Sequence, residues 1–248
     1  MIKFFRKIRQ SLLLKGNTGK YLKYAIGEII LVVVGILIAL TINNLNEESK
    51  KEKLKDGYIK SFQSDLEADV ILLEKQLADF EQLLKEDSEL SRRLSSPNAN
   101  ADTLIKIARF EFTPYFNPSN ELNLNTFNAM ISTGNLDLLD RDFAKKIQEH
   151  NAFQLTTLKL VDFNLKICSD VGKTYVQTYP LNSPFNAING ETMDSFWDEA
   201  NENKLKIDLN AALTSKIFVS KLVNNGRGTL LERTKELIAE IDKILVED

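Results

Sequence analysis

The chain has 248 residues, 43% of them hydrophobic and 27% charged, and carries a net charge of −3. Its one cysteine, Cys168, excludes an intrachain disulfide, and its one histidine, His150, leaves no Cys/His ligand set for a zinc site. Residues 1–24 contribute +7 to the net charge, leaving −10 for the rest, an acidic balance that argues against nucleic acid as a partner.

Residues 1–14, MIKFFRKIRQSLLL, alternate apolar and basic at helical spacing. Ile2, Phe5, Ile8 and Leu12 can face lipid while Lys3, Arg6, Lys7 and Arg9 face anionic headgroups. The plainer alternative is a positive flank that only sets topology.

The next stretch, Ala25–Ile42, is 18 residues long, and 12 of them are Ile, Leu or Val. Crossing about 30 Å of hydrocarbon takes roughly 20 apolar residues, and Tyr24 and Asn43 extend this run into the interface. No polar stripe interrupts it between Ile29 and Leu40, unlike a core helix of a soluble domain. The basic excess before it, against the mixed flank Glu47–Lys53 after it, predicts a cytoplasmic N-terminus. Ala39-Leu40-Thr41 is a poor cleavage site, so the expectation is an uncleaved anchor. Glu28, Val32, Gly35 and Ala39 fall on one helical stripe, with Gly35 and Ala39 as a small-xxx-small pair. Three readings of the stripe stand: helix–helix association, a Glu28 that reaches the interface or pairs with Lys23, or, least favoured, proton or ion coupling through Glu28.

From Ile59 the apolar residues Phe62, Leu66, Val70, Leu73, Leu77, Phe80 and Leu84 follow near-heptad spacing with one stutter. One helix is expected from the membrane to about residue 94, with a kink at Gly57, ended by Ser95-Ser96-Pro97-Asn98. Asp102 is the expected cap of a short helix reaching Phe110. A Pro/aromatic loop, 112–120, and another short helix ending at Gly134 come next. Asp140 can cap a long helix with two apolar seams. The first is Leu158, Val161, Leu165, Cys168, Gly172, Tyr175 and Tyr179. The second is Phe153, Leu160, Phe163, Ile167 and Val171, about 100° round. Two seams predict a central helix with two neighbours, and internal packing then accounts for both. A second Pro/aromatic loop, 179–190, and a short helix around Trp197 precede a last helix from near Leu209. Its apolar phase (Val219, Val223, Gly226, Leu230, Leu237, Ile241) holds across Asn224–Gly228, so it should continue there with Gly226 at a close contact.

The sum is an all-α chain: a basic cytoplasmic segment (1–24), a single N-terminal transmembrane helix (25–43), and a periplasmic domain (44–248). That domain is expected as an elongated antiparallel helical bundle of three long helices plus short ones.

Two motifs resemble a known family. One is Lys20–Ile29, KYLKYAIGEI, running through the span to Asn43-Asn44-Leu45-Asn46-Glu47; the other is Phe127–Leu139, FNAMISTGNLDLL. They are similar to an uncharacterised family of single-pass inner-membrane proteins of Bacteroidota, which carry a Gly-Glu-Ile entry and an Asn-rich exit. Family members have Trp where this chain has Leu45. The resemblance implies a bacterial inner-membrane protein with a helical periplasmic domain, and implies no activity.

No catalytic, cofactor-binding or metal-binding residues emerge, and an enzyme is not expected. His150 and Cys168 lie 18 residues apart on one helix, about 27 Å at 1.5 Å per residue, too far to share a metal. Asn135, Asp137, Asp140 and Asp142 do not match a calcium loop. Tyr115, Phe116, Tyr179 and Phe185 either line a small site or seal the bundle ends; sealing is expected, without a small-molecule ligand. The expected partners are the lipid bilayer and either a second copy or another envelope protein, with oligomerisation resting on the Glu28/Gly35/Ala39 stripe. The alternative is a periplasmic sensory or accessory module that signals through a membrane partner.

Overall fold

A computed structural model of the chain describes residues 18–116 and 121–247. Helix α1 runs Thr18–Leu94 and Gly57 does not interrupt it. Then come α2 (Ala101–Lys106), a π-helical turn (Ile107–Glu111), α3 (Asn125–Thr133), a 3-10 turn (Asn135–Leu138), α4 (Arg141–Thr178), α5 (Glu191–Asp198) and α6 (Glu202–Glu247). No strand occurs among the described residues. The chain divides at Gly57 into two compact units, the second beginning at Tyr58.

The second unit is a helical bundle with three stacked apolar clusters. At one end Ile59, Phe62 and Leu66 of α1 meet Met130 of α3, Phe143 and Ile147 of α4, and Leu237 and Ile241 of α6. In the middle Phe80 meets Val161, Leu165 and Cys168, with Val219 and Val223. At the other end Leu90 meets Leu104, Ile107 and Phe112, then Tyr175, Trp197, Leu205 and Leu209. This order makes α1 and α4 parallel, with α6 antiparallel to both. Residues 101–139 therefore return along the whole bundle, with Phe112 in one end cluster, Phe116 against the middle one and Met130 in the other end. The four passes alternate in direction, but the second is made of short helices and extended chain.

That descending pass lies hard against α4. A Cβ on Gly172 would sit 3.0 Å from the Pro114 carbonyl oxygen, so any larger residue requires the Pro114 backbone to give way by a few tenths of an ångström. Elsewhere the local rules hold. Gly134 ends α3 with φ 71°, a left-handed geometry that glycine adopts without a Cβ clash. Asp140 caps α4 by accepting from the Asp142 and Phe143 amides. The cap of α2 is Asn100, whose side chain accepts from the Thr103 amide; Asp102 sits two residues later, within the first turn.

Three further expectations are revised. The α1 seam has no stutter: buried positions run Ile59, Phe62, Leu66, Asp69, Leu73, Gln76, Phe80, Asp87 and Leu90. Polar residues occupy the register that Val70 and Leu77 were expected to fill, and those two are half-buried. On α6 the helix continues across Asn224–Gly228, but the side chain buried in that turn is Arg227. Gly226 faces Thr157 at ordinary contact distance, with room for a methyl group. On α4 the first seam is buried, whereas Leu160, Phe163 and Ile167 of the second are exposed at 57%, 61% and 43%.

Candidate functional site

In the first unit, the 12 Ile, Leu and Val side chains of the apolar run are 47–63% exposed. Helical geometry keeps Glu28, Val32, Gly35 and Ala39 on one face; Val32, Gly35 and Ala39 are exposed, Glu28 is half-exposed, and no atom lies within 4 Å of a Cβ built on Gly35. Among the described residues, the Val32, Gly35 and Ala39 part of the stripe is open. Lys3, Arg6, Lys7 and Arg9 lie outside the described residues.

The second unit concentrates its chemistry in a buried polar seam that apolar periodicity does not reveal. Asp69 of α1 is 1% exposed. Its carboxylate accepts from the Asn123 amide and side chain, each at 2.8 Å, and from Gln154 Nε2 of α4 at 2.8 Å. One turn earlier, Asp65 accepts from the Thr126 amide at 3.0 Å, a cap for α3 supplied by another helix. Burial pushes the Asp69 carboxyl above the usual range, and the Asn123 and Gln154 bonds pull it back. The two aspartates fasten the descending pass to α1.

Two turns beyond Phe80, Asp87 and Lys216 of α6 form an ion pair with both side chains almost wholly enclosed. Lys216 Nζ lies 3.1 Å from each carboxylate oxygen and donates to Oδ1. The same ammonium sits 5.8 Å from the Phe112 ring and 5.9 Å from Phe116, which supply a cation–π environment. Burial raises the Asp87 carboxyl and Lys216 opposes it. Cys168, nearby on α4, is buried, and burial pushes its thiol up, away from the reactive thiolate. The pair floors an open cavity of about 670 Å³ walled by Glu86, Leu90 and Arg93 of α1 and by Glu111, Thr113 and Tyr115. Arg93 donates to both Glu111 oxygens across its rim.

Arg227 lies 4.9 Å over the Phe80 ring, and burial lowers its guanidinium to about 10. His150 is buried, and neither ring nitrogen has a hydrogen-bond partner among the described residues. Burial, with the Arg233 charge added, lowers it to about 4, so it is a neutral packed ring. No group of three His, Cys, Asp or Glu residues suited to a metal occurs among the described residues.

The aromatic-loop residues are not brought together. Phe116 stacks on Phe80 at 5.7 Å and Tyr115 lines the cavity above it. Tyr179 is buried in an end cluster and donates to Asp208 at 3.0 Å. Phe185 stands 94% exposed at the tip of the Ser183–Asn186 turn.

The described N-terminal geometry coincides with a recognisable sequence pattern. Residues 28–117 match a family of unknown function, DUF6090. The match to DUF6090 begins at Glu28, takes in the rest of the apolar run and of α1, and ends beyond the π turn. It covers less than half of the chain. The 127–139 motif, which supplies Met130, Leu136 and Leu139 to an end cluster, lies outside it. No curated protein and no solved structure matches the chain.

Proposed function

We propose that the protein is a single-pass bacterial inner-membrane protein that holds a periplasmic helical bundle at the membrane for protein–protein interaction. The observation that carries this reading is the candidate span: one helix among the described residues is long and apolar enough to cross a membrane, and its apolar window is not buried against other described residues. A helix apolar on every face buries it in lipid, where its backbone is internally bonded. Seven basic residues before the run favour a cytoplasmic N-terminus. The similarity to DUF6090 fits this reading, since the matched residues start at the span. The buried carboxylates of Asp69 and Asp87 are engaged by Asn123, Gln154 and Lys216, which suits a scaffold. Carbonate extraction and protease accessibility in spheroplasts test it. The chain should stay in the membrane pellet, with residues beyond 43 cut only from the periplasmic side. Release by carbonate, or cleavage only from the cytoplasmic side, overturns it.

A second reading is a sensory or accessory module. It is favoured by the cavity over Asp87 and Lys216, because its α1 wall belongs to the same helix as the span. Ligand-dependent crosslinking of the span to a membrane partner would support it, and a span exchangeable for a foreign one without effect would sink it.

A further inference from the structure

We propose that Asn189, in the second Pro/aromatic loop, is a site of spontaneous covalent modification: its carboxamide closes on the amide nitrogen of Gly190 and is converted to aspartate and isoaspartate. The proposal stands apart from the membrane reading above. The sequence holds two Asn-Gly pairs, 189–190 and 225–226. Such pairs are open to ring closure because glycine has no Cβ to shield its nitrogen from the preceding side chain. Closure also needs a backbone free to turn that side chain onto the nitrogen. The fold gives this freedom to one pair and withholds it from the other.

Asn189 and Gly190 are both exposed, in an irregular stretch between α4 and α5. Among the described residues, no amide of residues 187–190 donates to a backbone carbonyl. The Gly190 carbonyl accepts from the Met193 and Asp194 amides and makes this residue the N-cap of α5, while its own N–H stays unspent. Gly190 has φ 68°, and no atom lies within 4 Å of a Cβ built there, so the approach is open. The Asn189 side chain has one bond among the described residues: Nδ2 donates to the Asn186 carbonyl at 2.7 Å, on the surface. A local, exposed bond of this kind opens readily.

Asn225-Gly226 is the reverse case. Both residues lie inside α6. In a helix interior the Gly226 N–H is bonded to the carbonyl four residues back, and the Asn225 Cα–Cβ bond tilts toward the helix N-terminus, away from that nitrogen. The Asn225 carbonyl also accepts from the Thr229 hydroxyl at 3.2 Å.

The reaction needs only water and a solvent base. The base takes the Gly190 amide proton, the nitrogen bonds to Asn189 Cγ, and Nδ2 picks up a proton and leaves as ammonia. Water then opens the cyclic imide. Breaking the bond from nitrogen to Cγ gives aspartate. Breaking the bond from nitrogen to the main-chain carbonyl carbon gives isoaspartate, with the chain running through the former side chain. Either product loses the donor that met the Asn186 carbonyl and gains a negative charge beside the first turn of α5, where a helix N-terminus favours one.

Peptide mass spectrometry of the full solubilised chain, incubated at neutral pH, tests this. Digestion in heavy-oxygen water separates conversion during incubation from conversion during handling. In the folded chain, conversion at Asn189 should exceed that at Asn225 by at least about tenfold, since Asn225 reacts only when α6 opens locally. In urea the two rates should come within about twofold of each other, because both pairs then lie in unfolded chain. The proposal is overturned if Asn189 stays intact in the folded chain while converting in urea, if Asn225 converts as fast as Asn189 in the folded chain, or if the preference for Asn189 survives undiminished in urea.

Discussion

Helices α1 and α4 run parallel through the same bundle and sort their residues in opposite ways. On α1 the inward edge holds Asp69, Gln76 and Asp87 among the leucines and phenylalanines, while Ile71 points to water. On α4 one edge is buried and the other leaves Leu160, Phe163 and Ile167 outside. The acids on α1 are inside because each has a partner that a buried charge requires: amides and Gln154 for Asp69, Lys216 for Asp87. The α4 apolars are outside because both long neighbours, α1 and α6, already lie against its other edge. Burial in this protein follows the availability of a partner more closely than it follows side-chain polarity.

The comparison breaks most sharply at the ion pair. Lys216→Met leaves Asp87 enclosed without its counter-charge and should destabilise the bundle by about 3–5 kcal/mol in denaturant melts. The double variant Asp87→Leu/Lys216→Met should recover most of that loss. A double variant as unstable as the single one would show that the pair is more than mutual compensation.

A smaller effect comes from pH. His150 has a folded value of about 4 against about 6.5 unfolded, so the unfolded chain binds more protons between those limits. Stability is fully present above about pH 6.5 and falls as the pH drops toward 4, by up to ~3 kcal/mol from this group. The raised carboxyls of Asp69 and Asp87 act with the opposite sign in acid, since the fold holds their protons more readily. His150→Gln should remove the loss of denaturant midpoint between pH 7 and pH 5. An unchanged loss would assign it to other groups.

The smallest effect is expected on the open edge of α4. Phe163→Ser changes a side chain already in water and should move the stability of the solubilised, monomeric bundle by less than about 0.5 kcal/mol. A loss of several kcal/mol would mean that this edge is buried within one chain.

Most of the backbone organisation is legible in the residues, because caps and breaks are local chemistry: Asp140, Gly134 and Pro180 mark real boundaries. The apolar run before Asn43 is equally plain. The interior is only half legible. Counting apolar residues alone shifts the α1 seam to Val70 and Leu77, since Asp69 and Gln76 carry no hydrophobic signal and Asp69's partners Asn123 and Gln154 are distant in sequence. The same blindness substitutes Gly226 for Arg227 on α6. On α4 the second stripe is correctly seen as apolar, yet spacing cannot say whether its neighbour belongs to the same chain. Asn100 rather than Asp102 caps α2 because the choice turns on backbone angles, with Asn100 extended at φ −131°. The residues around the cavity come from α1, the descending pass and α6, and no local pattern links them.

The pairing of Asp87 with Lys216 also fixes an order of events in synthesis. The partners are 129 residues apart, and Gln63 and Asp242, bonded at 2.6 Å, are 179 apart. An N-terminus-first chain thus displays α1 with its inward acids hydrated long before α6 is made. Until then the α1 edge has no complementary cation and no fourth pass to shield its leucines. Closure of the bundle waits for α6, the bolt that ends the exposure.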